Sequence, residues 1–148
     1  MSMFSALEVS GAALGAERQR AEVVAANMAN AETTSTPEGG PYKRKEVVFA
    51  SSGNQSFRMM LADYHHFGTH AEPAVRVRQV VDDPTPPLMR YEPGHPDADK
   101  DGYVAYPAIN PTQEMVDLMS SVRSYQLNAS AIAATKQMIQ QSISLLKA

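Results

Sequence analysis

TQEMVDLMSSVRSYQLNASAIAATKQMIQQSISLLKA, residues 112–148, is the stretch on which the fold turns. Met115, Leu118, Val122, Tyr125, Ala129, Ile132, Lys136, Ile139, Ile143 and Leu146 keep a heptad a/d register through five repeats, and nine of these ten are apolar. Alternating spacings of three and four residues place them along one side of a helix, the pattern of a coiled-coil seam. At about 1.5 Å per residue the helix is roughly 54 Å long, which is more than a 148-residue globule needs. Thr112 stands where an N-cap is wanted, Glu114 and Asp117 occupy the early turns, and Lys147 lies at the end, all in keeping with the helix dipole. Off the seam lie Val116, Met119, Leu127, Met138 and Leu145, and only five of the 37 residues are charged. A solvated helix surface usually carries about 25 to 35% charged residues. The outer faces are therefore expected to be covered too, by neighbouring subunits. The competing reading is a helical hairpin packed on its own middle domain and serving as a soluble adaptor, since wide apolar stripes are common on globular helices.

The opposite end of the chain has a matching pattern. Phe4, Leu7, Gly11, Leu14, Arg18, Ala21, Ala25 and Met28 follow the same spacing, and alanine fills nine of residues 1–31. Alanine combines high helix propensity with a thin profile that lets another helix come close. Helix is expected to stop between Asn30 and Pro37, where Asn, Thr, Ser, Pro and Gly accumulate.

All ten prolines and six of the eight glycines lie between the two ends. Residues 32–111 also hold most of the charge, 11 acids and 8 bases. The chain therefore divides into an N-terminal helix at 1–31, a β-rich middle with Pro/Gly-rich loops at 32–111, and a C-terminal helix at 112–148. Strands are predicted at 42–49, 57–61, 75–81, 88–91 and 103–106, with the Val75, Arg76, Val77, Arg78 alternation implying one wet face. The class is α+β.

Composition removes many functions. There is no cysteine, so disulfides, thiolate metal sites and cysteine nucleophiles are excluded. The net charge of −3 and a pI near 5.8 offer no general attraction for nucleic acid. No apolar run approaches the ~20 residues of a membrane span, and the N-terminus lacks the basic start of a cleaved secretory signal.

The candidate chemical sites are weak. His65, His66 and His70 are the only histidine cluster and the basis of a rival reading as a small metal-binding enzyme. Gly68 interrupts them and no glutamate completes an HExxH pattern, so a solvated loop is the better reading. Asp97, Asp99, Asp101 and Gly102 copy the first half of an EF-hand loop, but the acid due at position 12 falls on Ala108. That segment reads as a turn. Lys43, Arg44 and Lys45 read as a solvated strand edge. The expectation is no catalytic residue, no metal and no cofactor.

Several stretches resemble a known family. FSALEVSGAALGAERQR (4–20) followed by AANMANAETT (25–34) is similar to the N-terminal motif of flagellar axial proteins, with Met28 in the usual leucine position. DDPTPP (82–87), YEPGHPDAD (91–99), GYVAYP (102–107) and EMVDLMSSVRSYQLN (114–128) narrow the likeness to proximal-rod members of that family; residues 51–72 lie outside it. The resemblance implies a structural subunit of the bacterial basal-body rod with no catalysis. It implies export through the flagellar type III apparatus, assembly in the periplasm, and partnership with copies of itself and other rod proteins. It further implies terminal helices paired as an antiparallel coiled coil inside, with the small β-rich domain outside. The subunit interface expected on these grounds comprises Phe4, Leu7, Leu14, Asn27, Met28, Asn30, Met115, Leu118, Val122, Tyr125, Ile132, Ile139, Ile143 and Leu146.

Overall fold

The computed structural model describes residues 3–51 and 74–147. The expected strand at 57–61 and His65, His66 and His70 lie outside the described residues. Helix α1 (Met3–Ala29) is followed by strands β1 (Lys45–Ser51), β2 (Val75–Asp82), β3 (Leu88–Tyr91) and β4 (Tyr103–Tyr106), then by helix α2 (Pro111–Lys147). β1 pairs with β2 and β3 with β4, each antiparallel, giving two separate two-stranded sheets in an α+β chain.

Local chemistry sets the helix ends. Asn110, not Thr112, caps α2: its side-chain oxygen accepts the Thr112 N–H at 3.0 Å and its carbonyl accepts the Glu114 N–H at 3.1 Å. Pro111 then takes the first helical position, where a missing N–H costs nothing. At the end of α1 the Asn30 amide donates to the Ala26 carbonyl at 2.9 Å, satisfying one of the carbonyls that a helix leaves unpaired.

The helices pack side by side and run antiparallel. Asn27 meets Glu114, Arg20 meets Asp117, and Ala21 shares a groove with Ser121 and Tyr125. The residues that face across differ from the expected seam. α2 buries Glu114, Ser121 and Thr135 and half-buries Asn128, whereas α1 buries Ser5, Ala16, Val24 and Asn27. The seven-residue spacing survives on α2 but sits one position earlier than Met115, Val122, Ala129 and Lys136, all of which are exposed. Of the other seam positions Leu118, Ile132 and Ile139 are half-buried, while Tyr125, Ile143 and Leu146 are exposed.

The reason is steric. Small side chains let two helices approach closely, and α1 offers a shallow, alanine-rich surface. The buried hydroxyls bring no unmatched polar atom inside, because Ser121 Oγ donates to the Leu118 carbonyl (2.8 Å) and Thr135 Oγ1 to the Ala131 carbonyl (2.9 Å). Met115, Val116, Met119, Val122, Leu127, Met138 and Leu145 of α2 are left outside.

In the strands, Val75 and Val77 are half-buried and Arg76 and Arg78 exposed, as the alternation predicts. The β1–β2 register shifts between Val48 and Phe49. On β4, Val104 (1% exposed) and Tyr106 point inward, and the buried run continues through Pro107 and Ile109 to the start of α2. The Tyr106 hydroxyl donates to Glu92 at 2.9 Å, and the Arg90 guanidinium lies 4.5 Å from its ring centroid. The hydrogen bond to Glu92 raises the Tyr106 phenol above its ordinary pKa. The acidic run before β4 is a turn: one Asp99 carboxylate oxygen accepts the N–H groups of Asp101 (2.9 Å) and Tyr103 (2.8 Å). Gly102 has φ of +81°, and a Cβ there would lie 2.9 Å from the Tyr91 ring. Among the described residues no helix is long and apolar enough to cross a membrane.

Candidate functional site

Where the helices meet the first sheet, one side chain joins three elements. Asn27, 1% exposed, sits two residues before the end of α1. Its Nδ2 donates to the Lys45 carbonyl (2.9 Å) and to Glu114 Oε2 (3.1 Å), and its Oδ1 accepts the Lys45 N–H (2.9 Å) and the Tyr42 hydroxyl (3.2 Å). An amide has two donor hydrogens and two acceptor lone pairs, so Asn27 is saturated. Because its planar amide bonds both backbone groups of one residue, the side chain behaves toward β1 as a neighbouring strand would.

Glu114 supplies the second half. It is buried to 1% exposure in the early turns of α2, where the helix dipole favours a negative charge. Arg44 Nε donates to its Oε1 at 2.7 Å. The guanidinium also pairs with Glu46 and lies 3.5 Å from Asp83. Burial alone would lower the Arg44 pKa, but hydrogen bonds and charge from Glu114 and Glu46 outweigh it, and the group is held above its ordinary value. Tyr42 is likewise raised, by burial first and then by the charges of Asp82 and Glu114. Asp83 is lowered, chiefly by hydrogen bonds from Thr85, with Arg44 adding to the effect. Removing one partner of such a buried pair typically costs about 3–5 kcal/mol.

The loop after α1 delivers these groups. Gly39 and Gly40, at φ of +88° and +77°, fold the chain back so that the Tyr42 N–H reaches the Thr33 carbonyl at 3.0 Å. Beside the joint an open groove of about 390 Å³ runs along Tyr42, Arg44 and Asp83 toward Pro84, Pro86 and Pro87. Within it Arg44 pairs with Asp83 and the Tyr42 hydroxyl is taken up by Asn27, an arrangement suited to holding elements in register.

The expected interface residues separate into three groups. Asn27 is engaged within its own chain on all of its hydrogen-bonding groups, so its side chain does not present itself to another subunit. Leu7, Leu14, Met28, Asn30, Leu118, Ile132 and Ile139 are half-buried. Phe4, Met115, Val122, Tyr125, Ile143 and Leu146 are exposed. Arg44 corrects the reading of 43–45 as a solvated edge: Lys43 and Lys45 are exposed, but the residue between them turns inward to Glu114. Arg44, Tyr42 and Asp83 were missed. The one available signal was a lone glutamate at the head of a helix nearly devoid of charge.

A profile described as flagellar basal body rod FlgEFG protein C-terminal matches residues 100–145. The chain is 36% identical to the flagellar basal-body rod protein FlgC of Borreliella burgdorferi, covering 99% of both chains. It is 39% identical to that of Bacillus subtilis, covering 99% of this chain and 100% of the relative, and 34% identical to that of Salmonella typhimurium over 98% of each.

Proposed function

This chain belongs to the FlgC family of flagellar basal-body rod proteins and is a structural subunit of that rod, and from that premise we propose that it polymerises through the outer faces of its two helices. One observation carries the reading: α2 buries Glu114, Ser121 and Thr135, half-buries Leu118, Ile132 and Ile139, and leaves a larger set of bulky apolar residues exposed. Met115, Met119 and Val122 form one exposed row, and Leu127, Met138 and Leu145 another, with Leu127 at 66% and Leu145 at 78% exposure. Monomeric proteins rarely leave such contiguous apolar rows in water. A hairpin that packed these rows on its own middle segment would have hidden them.

In this reading residues 1–31 and 112–148 form the inner wall of the rod, pair as a coiled coil when neighbours clamp them, and carry torque. Residues 32–111 stand outside. The partners are copies of this chain and other rod proteins, the route to the periplasm is the flagellar type III apparatus, and no catalytic step is involved.

The test replaces Leu127 and Met119 by Ser in the motile host. Both side chains are exposed in the single chain, so folding and export are expected to be normal while rods fail to form and swimming is lost. Normal swimming would overturn the proposal.

A further inference from the structure

The Asn27 joint has a geometry that stability alone does not require. An apolar contact between helix end and sheet would bury the same surface, and replacing a buried ion pair by packed hydrophobic groups is often neutral or favourable. Hydrogen bonds differ in being directional. Here they form one continuous chain: β1 backbone to Asn27, Asn27 to Glu114 on α2, and Glu114 to Arg44, whose carbonyl accepts the Asp83 N–H just beyond β2 at 2.7 Å. α1, α2 and both strands of the first sheet are thereby pinned at one point. Three Asn27 bonds go to Tyr42 and Lys45 at the entry to β1 and the fourth goes to α2, which ties the sheet to both helices.

We propose that Asn27 and Glu114 are positioning residues that fix the angle between the helix pair and the β1–β2 sheet, making the subunit a single rigid body under load. The proposal rests on the reading of this chain as a rod subunit for its consequence, but not for its geometry. Asn27→Asp removes both donors and sets a second carboxylate against Glu114. Asn27→Asp combined with Glu114→Gln exchanges donor and acceptor and restores the bond between the helices.

The absence of cysteine allows spin labels to be placed at Gln19 on α1 and Arg78 on β2, both exposed, in the full-length chain. The expected result is a narrow label-to-label distance distribution for the parent, a distribution about twofold broader for Asn27→Asp at unchanged helix content, and partial narrowing in the double variant, since coupled neighbours are non-additive. Glu114→Gln alone provides a milder variant should Asn27→Asp not fold, and it too should broaden the distribution. A distribution as narrow as the parent's in both single variants would overturn the proposal. The rod reading fails separately, if the parent chain is absent from purified basal bodies.

Discussion

Ser121→Leu places the structure and the heptad pattern in direct opposition. Ser121 is fully buried against α1, and leucine adds two heavy atoms to a contact built from Ser121, Glu17 and Ala21. Overpacking of this kind typically costs about 1–3 kcal/mol. With a urea dependence of about 1–3 kcal/mol per molar, the midpoint of unfolding should fall by on the order of 1 M. The measurement is urea unfolding of the full chain followed by far-ultraviolet circular dichroism. Two companions fix the interpretation. Ser121→Ala removes a hydroxyl bonded only to its own helix at Leu118 and should shift stability by no more than about 1 kcal/mol. Val122→Ser alters a residue that is 44% exposed and should likewise cost no more than about 1 kcal/mol. If Ser121→Leu is neutral while Val122→Ser destabilises by more than that, the buried stripe is at 115, 122 and 129 after all, and the helix pairing described above is wrong.

Two further outcomes follow from single sites. Val104→Ala deletes two methyl groups from the best-buried apolar side chain among the described residues and should cost about 2 kcal/mol, seen calorimetrically as a fall in Tm of roughly 4–8 °C; an unchanged Tm would mean β4 does not anchor the start of α2. Asp83 has a folded pKa below its ordinary 3.8, so its contribution is complete above that value and is lost as pH falls through the folded pKa. Asp83→Asn should therefore lower stability at neutral pH and flatten the acid limb of the pH profile, the two proteins converging at low pH; parallel acid limbs would refute the assignment.

Much was legible from residue order alone, because it depends on near neighbours. Proline and glycine confined to the middle leave the two ends free for the long helices α1 and α2. The strands at 88–91 and 103–106 match the predicted ranges, and Asp99 with Gly102 reads as a turn because its hydrogen bonds span only two to four residues. The cap of α2 was equally local, and Asn110 before Pro111 was passed over for Thr112. What residue order could not settle is which stripe of α2 faces α1. Periodicity identifies an apolar row but not its partner, and the close approach of alanine-rich α1 brings Glu114, Ser121 and Thr135 inside while Met115, Val122 and Ala129 stay exposed. The joint lay further out of reach. Asn27 and Glu114 are 87 positions apart, and Arg44 and Glu114 are 70. Each looks like an ordinary surface residue until the chain folds, because a buried charge is admissible only where its partner already stands, and only the tertiary structure brings them together.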